Sequence, residues 1–128
     1  MKQLFKLPSF NKWMRQNRVT DVSLCEAVEE MSKGLIDAEL GAGLVKKRLA
    51  LSGQGKRGGA RILVATNKRE RWFFLFGFRK NDRDNISENE KRVWQELASI
   101  HLNLSKPELD CALLNHKLLE VKNHEEEV

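Results

Sequence analysis

From Gly41 to Lys80 the chain reads GAGLVKKRLALSGQGKRGGARILVATNKRERWFFLFGFRK, where strand patterning and positive charge coincide. Eleven Lys or Arg face one acid, Glu70, so forty residues carry a net +10. The flanks differ: residues 1–40 hold six basic and six acidic side chains, and residues 81–128 hold six against eleven. The net charge of +5 therefore comes from one segment. A cationic sheet surface favours a polyanionic partner, and nucleic acid is the commonest one in a cell.

Within that segment the alternation predicts three strands. In Leu44–Leu51, Val45, Leu49 and Leu51 share a side, with Lys46, Arg48 and Ala50 opposite. Strict alternation puts Lys47 on the apolar side. The loop SGQGKRGG, residues 52–59, has four glycines, whose backbone N–H groups can approach an anion closely. Arg61–Asn67 is the second strand, Ile62 and Val64 alternating with Arg61, Leu63 and Ala65. The turn at 67–70 makes a hairpin with the third, Arg71–Lys80. There Phe74, Phe76 and Phe78 share a side with Lys80, Phe73 and Leu75 take the other, and Gly77 suggests a bulge or a close backbone approach.

Helices flank the strands. After a short strand within residues 1–7, Pro8 opens a helix to about Asn17. Thr20 or Asp21 caps a second, with Ser23 and Glu26 offering a capping-box variant. Its inner face is Leu24, Cys25, Val28, Met31 and Leu35, and Gly34 ends it. Ser87 with Glu90, and Ser105 with Glu108, open two more helices, and the end is acidic. This order predicts one α+β domain over 1–128: a small antiparallel sheet with two N-terminal helices on one face and one or two C-terminal helices. Residues 105–128 read as an extra helix and acidic tail.

Composition narrows the chemistry. No apolar run exceeds seven residues, too short to cross a bilayer, and the N-terminus has no secretory pattern. The cytoplasm is the expected compartment, with Cys25 and Cys111 as two buried thiols rather than a disulfide. His101, His116 and His124 lie in the C-terminal part, away from the basic strands, and read as surface or helix-end residues. No Cys, His and Asp set has metal-ligand spacing, so the expectation is no metal and no cofactor. Asp82 and Asp84 read as turn residues. The glycine loop is no Walker motif, since Arg57, not Ser or Thr, follows Lys56.

Cations at strand ends remain. Lys46 and Arg48 point one way, Lys56 sits in the glycine loop, Arg61 begins the next strand and Lys80 closes the third. Arginine presents a planar fork to phosphate and can stabilise charge developing on its oxygens. A lysine crowded by cations can accept a proton. Phe78, nearest the basic end, could stack a base. Composition alone favours passive binding over catalysis.

Two spaced pieces, GQGKRGGARIL and FGFRKNDRDNI, with LCEAVEEMSKGLIDAELGAGLVKKR upstream, resemble the RelE/HigB group of bacterial toxins over roughly residues 3–104. The resemblance implies a small twisted antiparallel sheet with helices, and a metal-independent endoribonuclease that cuts mRNA in the ribosomal A site and halts translation. Attack of the ribose 2′-hydroxyl on the adjacent phosphate would leave a cyclic phosphate. It also implies a cognate antitoxin, commonly a helix-turn-helix protein, as partner. Carried over by position, Arg61 stabilises the transition-state phosphate and Lys56 anchors it. Lys47 or Arg48 binds RNA backbone or assists proton transfer, and Lys80 acts on the leaving group or the phosphate. Lys46, Arg48, Arg57, Phe78, Arg79 and Arg83 are the expected RNA contacts. The chain has no tyrosine, so the general acid and base stay unassigned. The alternatives are a gyrase inhibitor like the ParE relatives, or a non-catalytic RNA-binding module.

Overall fold

A computed structural model describes residues 2–52 and 59–122. Six strands form one sheet: β1 (Gln3–Lys6), β2 (Ala38–Gly41), β3 (Leu44–Leu49), β4 (Ala60–Thr66), β5 (Arg71–Arg79) and β6 (Leu119–Glu120). Four helices accompany them: α1 (Pro8–Asn17), α2 (Asp21–Ser32), α3 (Glu88–Leu102) and α4 (Lys106–Leu114). The strand order is β2-β3-β4-β5-β1-β6. Every pair is antiparallel except β1 with β5, so the α+β expectation holds while the sheet is mixed. Parallel entry of β1 follows from the crossover: the chain leaves Lys6, forms α1 and α2, and returns through β2 at the far edge.

The middle strand explains the architecture. All seven residues of β4 are buried, so both of its faces need a hydrophobic layer. One cluster joins Ala60, Ile62 and Val64 to Val45, Leu49, Trp72 and Phe74, with Phe10 and Met14 of α1 and Leu24, Val28 and Met31 of α2. The other joins Leu63 and Ala65 to Leu44, Phe73 and Leu75, with Ala98 of α3 and Leu109 of α4. Apolar alternation within β3 and β4 is as the sequence reads.

Local chemistry sets the ends of the elements. Thr20 Oγ1 accepts the Ser23 N–H and caps α2, so Thr20, not Asp21, is the cap. Gly34 follows the helix with φ +91°, which turns Leu35 out to solvent rather than onto the inner face. Ser87–Glu90 and Ser105–Glu108 both form capping boxes. Asn67 Oδ1 accepts the N–H groups of Arg69 and Arg71, closing the β4–β5 hairpin as an Asx turn. A hairpin that the sequence reading passes over, β2–β3, turns on Gly41, Ala42 and Gly43, all with positive φ.

Two further expectations fail for physical reasons. Leu75 bulges out of the β4–β5 ladder, because Leu63 pairs with Phe76 and Val64 with Phe74. The phase of the strand flips there: Phe74 joins the α1–α2 cluster, whereas Phe76 packs in the α3–α4 cluster and stacks on Trp94 at 5.0 Å. The three phenylalanines therefore do not share a side. Nor are both thiols buried. Cys25 is half-buried and Cys111 exposed, since α4 buries only Leu109.

Beyond Leu104 the chain returns to the sheet. β6 pairs with β1, Leu118 and Val121 are buried, and the Lys122 N–H donates to Asp21 Oδ2 at 2.8 Å. Asp21 Oδ1 also accepts from the buried Lys6 ammonium at 2.7 Å, so one carboxylate ties β1, α2 and the last described residue together.

Gly77 marks a close approach and not the bulge. A Cβ there would lie 2.7 Å from Trp13 Cε3 and Cζ3. Gly77→Ala is expected to destabilise the protein by about 1–3 kcal/mol through overpacking. Chemical denaturation measures it, and an unchanged midpoint would show that the Trp13 ring yields freely.

Candidate nucleic-acid interface

The face of the sheet that carries the α3–α4 cluster changes character along β3 and β4. Leu44 lies opposite Ala65, then Lys46 opposite Leu63, then Arg48 opposite Arg61. Apolar residues fill the end against α3, and cations fill the other. Pairing of Arg61 with Phe78 extends the last row to β5.

Asp37, immediately before β2, sits among these cations. Its Oδ1 accepts from Arg48 Nε at 2.9 Å, and its Oδ2 lies 3.7 Å from both Lys46 Nζ and Arg61 Nε. Its own N–H donates to the Lys46 carbonyl at 2.9 Å, which anchors it to β3. Partial burial alone would raise the Asp37 carboxyl. The hydrogen bond from Arg48 and the charges of Lys46, Arg48 and Arg61 outweigh it and hold the group below the usual carboxylate range. Arg61 is buried, its side chain 7% exposed, and it also donates from Nη1 to the Ala60 carbonyl, while Arg48 is 52% exposed. On the other side Lys46 Nζ donates to Asn85 Oδ1 at 3.4 Å.

The loop after β5 frames this patch. Arg83 lies 5.6 Å over the Phe78 ring and pairs with both oxygens of Glu90 on α3. Glu90 is thus both the capping-box acid of α3 and the anchor of the loop. The Arg83 hydrogen bond first, then that from the Ser87 N–H, bring its carboxyl down to about 2. The same pairing raises the Arg83 guanidinium above its ordinary value.

Lys46, Arg48, Arg61, Phe78 and Arg83 are therefore brought to one region. Lys80 continues the β5 ladder by donating its N–H to the Gly59 carbonyl, and its ammonium meets the Asp84 carbonyl at 3.4 Å. Two residues go elsewhere. Lys47 follows the alternation into the α1–α2 cluster, where it is 4% exposed and pairs with Glu30 of α2 at 2.8 Å. Arg79 pairs with Ala60, a residue of that same cluster, and donates to Asn17 Oδ1 of α1 at 3.5 Å. Lys56 and Arg57 lie outside the described residues. Asp37 and Asn85 were missed. The signal for Asp37 was the Gly-Ala-Gly turn between alternating residues, which marks a hairpin and so brings the chain before Ala38 beside β3.

His101 stays out of the patch: its Nδ1 is 2.7 Å from the Leu97 carbonyl and its ring lies against Phe73. Among the described residues no three His, Cys, Asp or Glu are placed to hold a metal, and no helix is long and apolar enough to cross a membrane.

The family model for the RelE toxin of the RelE/RelB toxin–antitoxin system matches residues 2–121. The chain belongs to the RelE toxin family. No curated protein matches it. As a RelE toxin it is one half of a toxin–antitoxin system, and the match reaches through α4 and β6, the segment outside the motif resemblance.

The Arg83–Glu90 pair is open to titration. Glu90 is expected to titrate near pH 2, and Arg83→Ala to raise it only part of the way to its ordinary value, because the Ser87 N–H still lowers it. With a depressed folded-state pKa, the stability it contributes is present above the unfolded value and is lost as pH falls toward 2. Carboxyl NMR titration measures both, and an ordinary midpoint in the wild type would remove the anchor.

Proposed function

We propose that this RelE toxin is a metal-independent endoribonuclease that cuts mRNA on the ribosome, and that a cognate antitoxin, a helix-turn-helix protein, neutralises it. The observation that carries the reading is the cross-strand pair Arg48–Arg61, with Lys46 beside it and Phe78 next in the row, on one face of the sheet. A phosphodiester needs a planar, always-charged donor where charge builds on its oxygens, and arginine supplies it. Arg61 is the transition-state residue, since its burial strengthens its field. The half-exposed Arg48, with the less exposed Lys46 and with Arg83 at the rim, holds the RNA backbone. Phe78, expected as a stacking ring, is instead buried beneath Arg83 and supports the patch from within the sheet.

In the reaction the 2′-oxygen loses its proton and bonds to phosphorus, the bond to the 5′-oxygen breaks, and that oxygen takes up a proton. Products are a cyclic phosphate and a 5′-hydroxyl. Lys80 and, from the glycine loop, Lys56 serve the phosphate and the leaving group; Arg57 adds to the backbone contacts. Lys47 and Arg79, turned toward the helices, play structural parts instead. Ribosomes as the target place the protein's work in the cytoplasm.

Induced expression followed by primer extension on cellular mRNA tests the class. Cuts at codon-defined positions are expected. Growth arrest with intact mRNA and accumulated DNA breaks would instead identify a gyrase inhibitor. Arg61→Ala is expected to abolish toxicity in a folded protein, with a loss of roughly 100-fold or more in cleavage rate; full toxicity would exclude Arg61 from the chemistry.

A further inference from the structure

We propose that Asp37 is a positioning residue that holds Arg48 and Arg61 as a single cradle for one phosphodiester, an inference that rests on the nuclease reading and deepens it. Arg48 and Arg61 are directly opposed in the β3–β4 register, their side chains on one face of the sheet. Like charges directly opposite one another on neighbouring strands repel, and without a bridge the two guanidiniums splay. Asp37 is the bridge, 2.9 Å from Arg48 Nε and 3.7 Å from Arg61 Nε, through different oxygens.

The carboxylate is not itself loose. Its backbone N–H is bonded to Lys46, and the strand that follows it is tied to α3 by Gln95, whose amide donates to the Leu40 carbonyl. The sheet edge thus fixes Asp37, and Asp37 fixes the arginines. Charge also fits the role. Lys46, Arg48 and Arg61 around one carboxylate leave a surplus of positive charge, so the cluster still attracts a phosphate while its two forks are held at a set spacing.

Attraction and alignment then separate in Asp37→Asn. Loss of the negative charge makes the patch more cationic, so RNA affinity is kept or increased and its salt dependence steepens. Loss of the bridge misaligns the guanidiniums, so the cleavage rate constant falls on the order of 10- to 100-fold. A residue that only stabilises the fold would not split kcat from KM in this direction.

The experiment measures single-turnover cleavage of ribosome-bound mRNA and binding of an RNA oligonucleotide, for wild type and Asp37→Asn, with thermal melts of both. The expected result is a slower rate at equal or tighter binding. An unchanged rate, or a rate that falls only in parallel with affinity, overturns the proposal. A measurement that needs no variant is NMR of the Arg48 and Arg61 Nε–Hε signals in wild type titrated with inorganic phosphate. One shared midpoint is expected; two separate midpoints overturn the cradle even if Asp37→Asn does not fold. The two readings fail differently. A wild type that cuts no mRNA but shows one shared midpoint leaves the cradle standing and removes the nuclease. An Asp37→Asn protein that cuts like wild type removes the cradle and leaves the nuclease.

Discussion

A strand buried on both faces has to be covered twice, and in this protein that strand is β4. Its residues alternate between the α1–α2 cluster and the α3–α4 cluster, and the larger side chains so buried, Ile62, Leu63 and Val64, each contribute roughly 1.5–3 kcal/mol. β3 and β5 flank it, β1 pairs with the far side of β5, and β6 pairs with β1. The cation that β4 carries, Arg61, is consequently held on a strand that is paired on both sides and buried on both faces. Its position is set by packing before any ligand arrives.

The helices and the cations divide one face between them. α3 covers the end where Leu44, Ala65 and Phe73 lie, with Trp94 stacked on Phe76 at its margin. Past that margin the cross-strand row becomes Arg48, Arg61 and Phe78. A buried cation is tolerated only with a partner, and the chain supplies one each time: Glu30 for Lys47, Asp21 for Lys6, Asp37 for Arg61. The first two partners lie on α2 and tie it to the sheet. Asp37 differs in binding three cations at once, two of them less buried than Arg61.

The loop from Lys80 to Ile86 uses the same economy of contacts. Glu90 accepts from Ser87 to start α3 and from Arg83 to hold the loop, so the helix end and the rim of the cationic patch depend on one side chain. Asn85 reaches Lys46 from that loop, and its Oδ1 also accepts the Ile86 N–H. The rim is therefore connected to β3 through a neutral amide and to α3 through an ion pair.

Period and capping chemistry were legible from the chain alone: the helices, the β4–β5 hairpin and the two capping boxes. These depend on neighbours within a few residues. The RelE family could be read from two spaced motifs, the glycine loop and the FGFRK strand, which together say more than either alone. Three things required the folded chain. Leu75 had to bulge for the phase of Phe74, Phe76 and Phe78 to be known, and a bulge depends on the partner strand. β1 had to insert parallel to β5, which is decided by a crossover of two helices. Asp37 had to meet Arg48 and Arg61 from 11 and 24 positions away in sequence, through a short hairpin and the β3–β4 register. Charge was written in the composition; the spacing of the charges was decided by which strands pair, since register is a property of two segments and never of one.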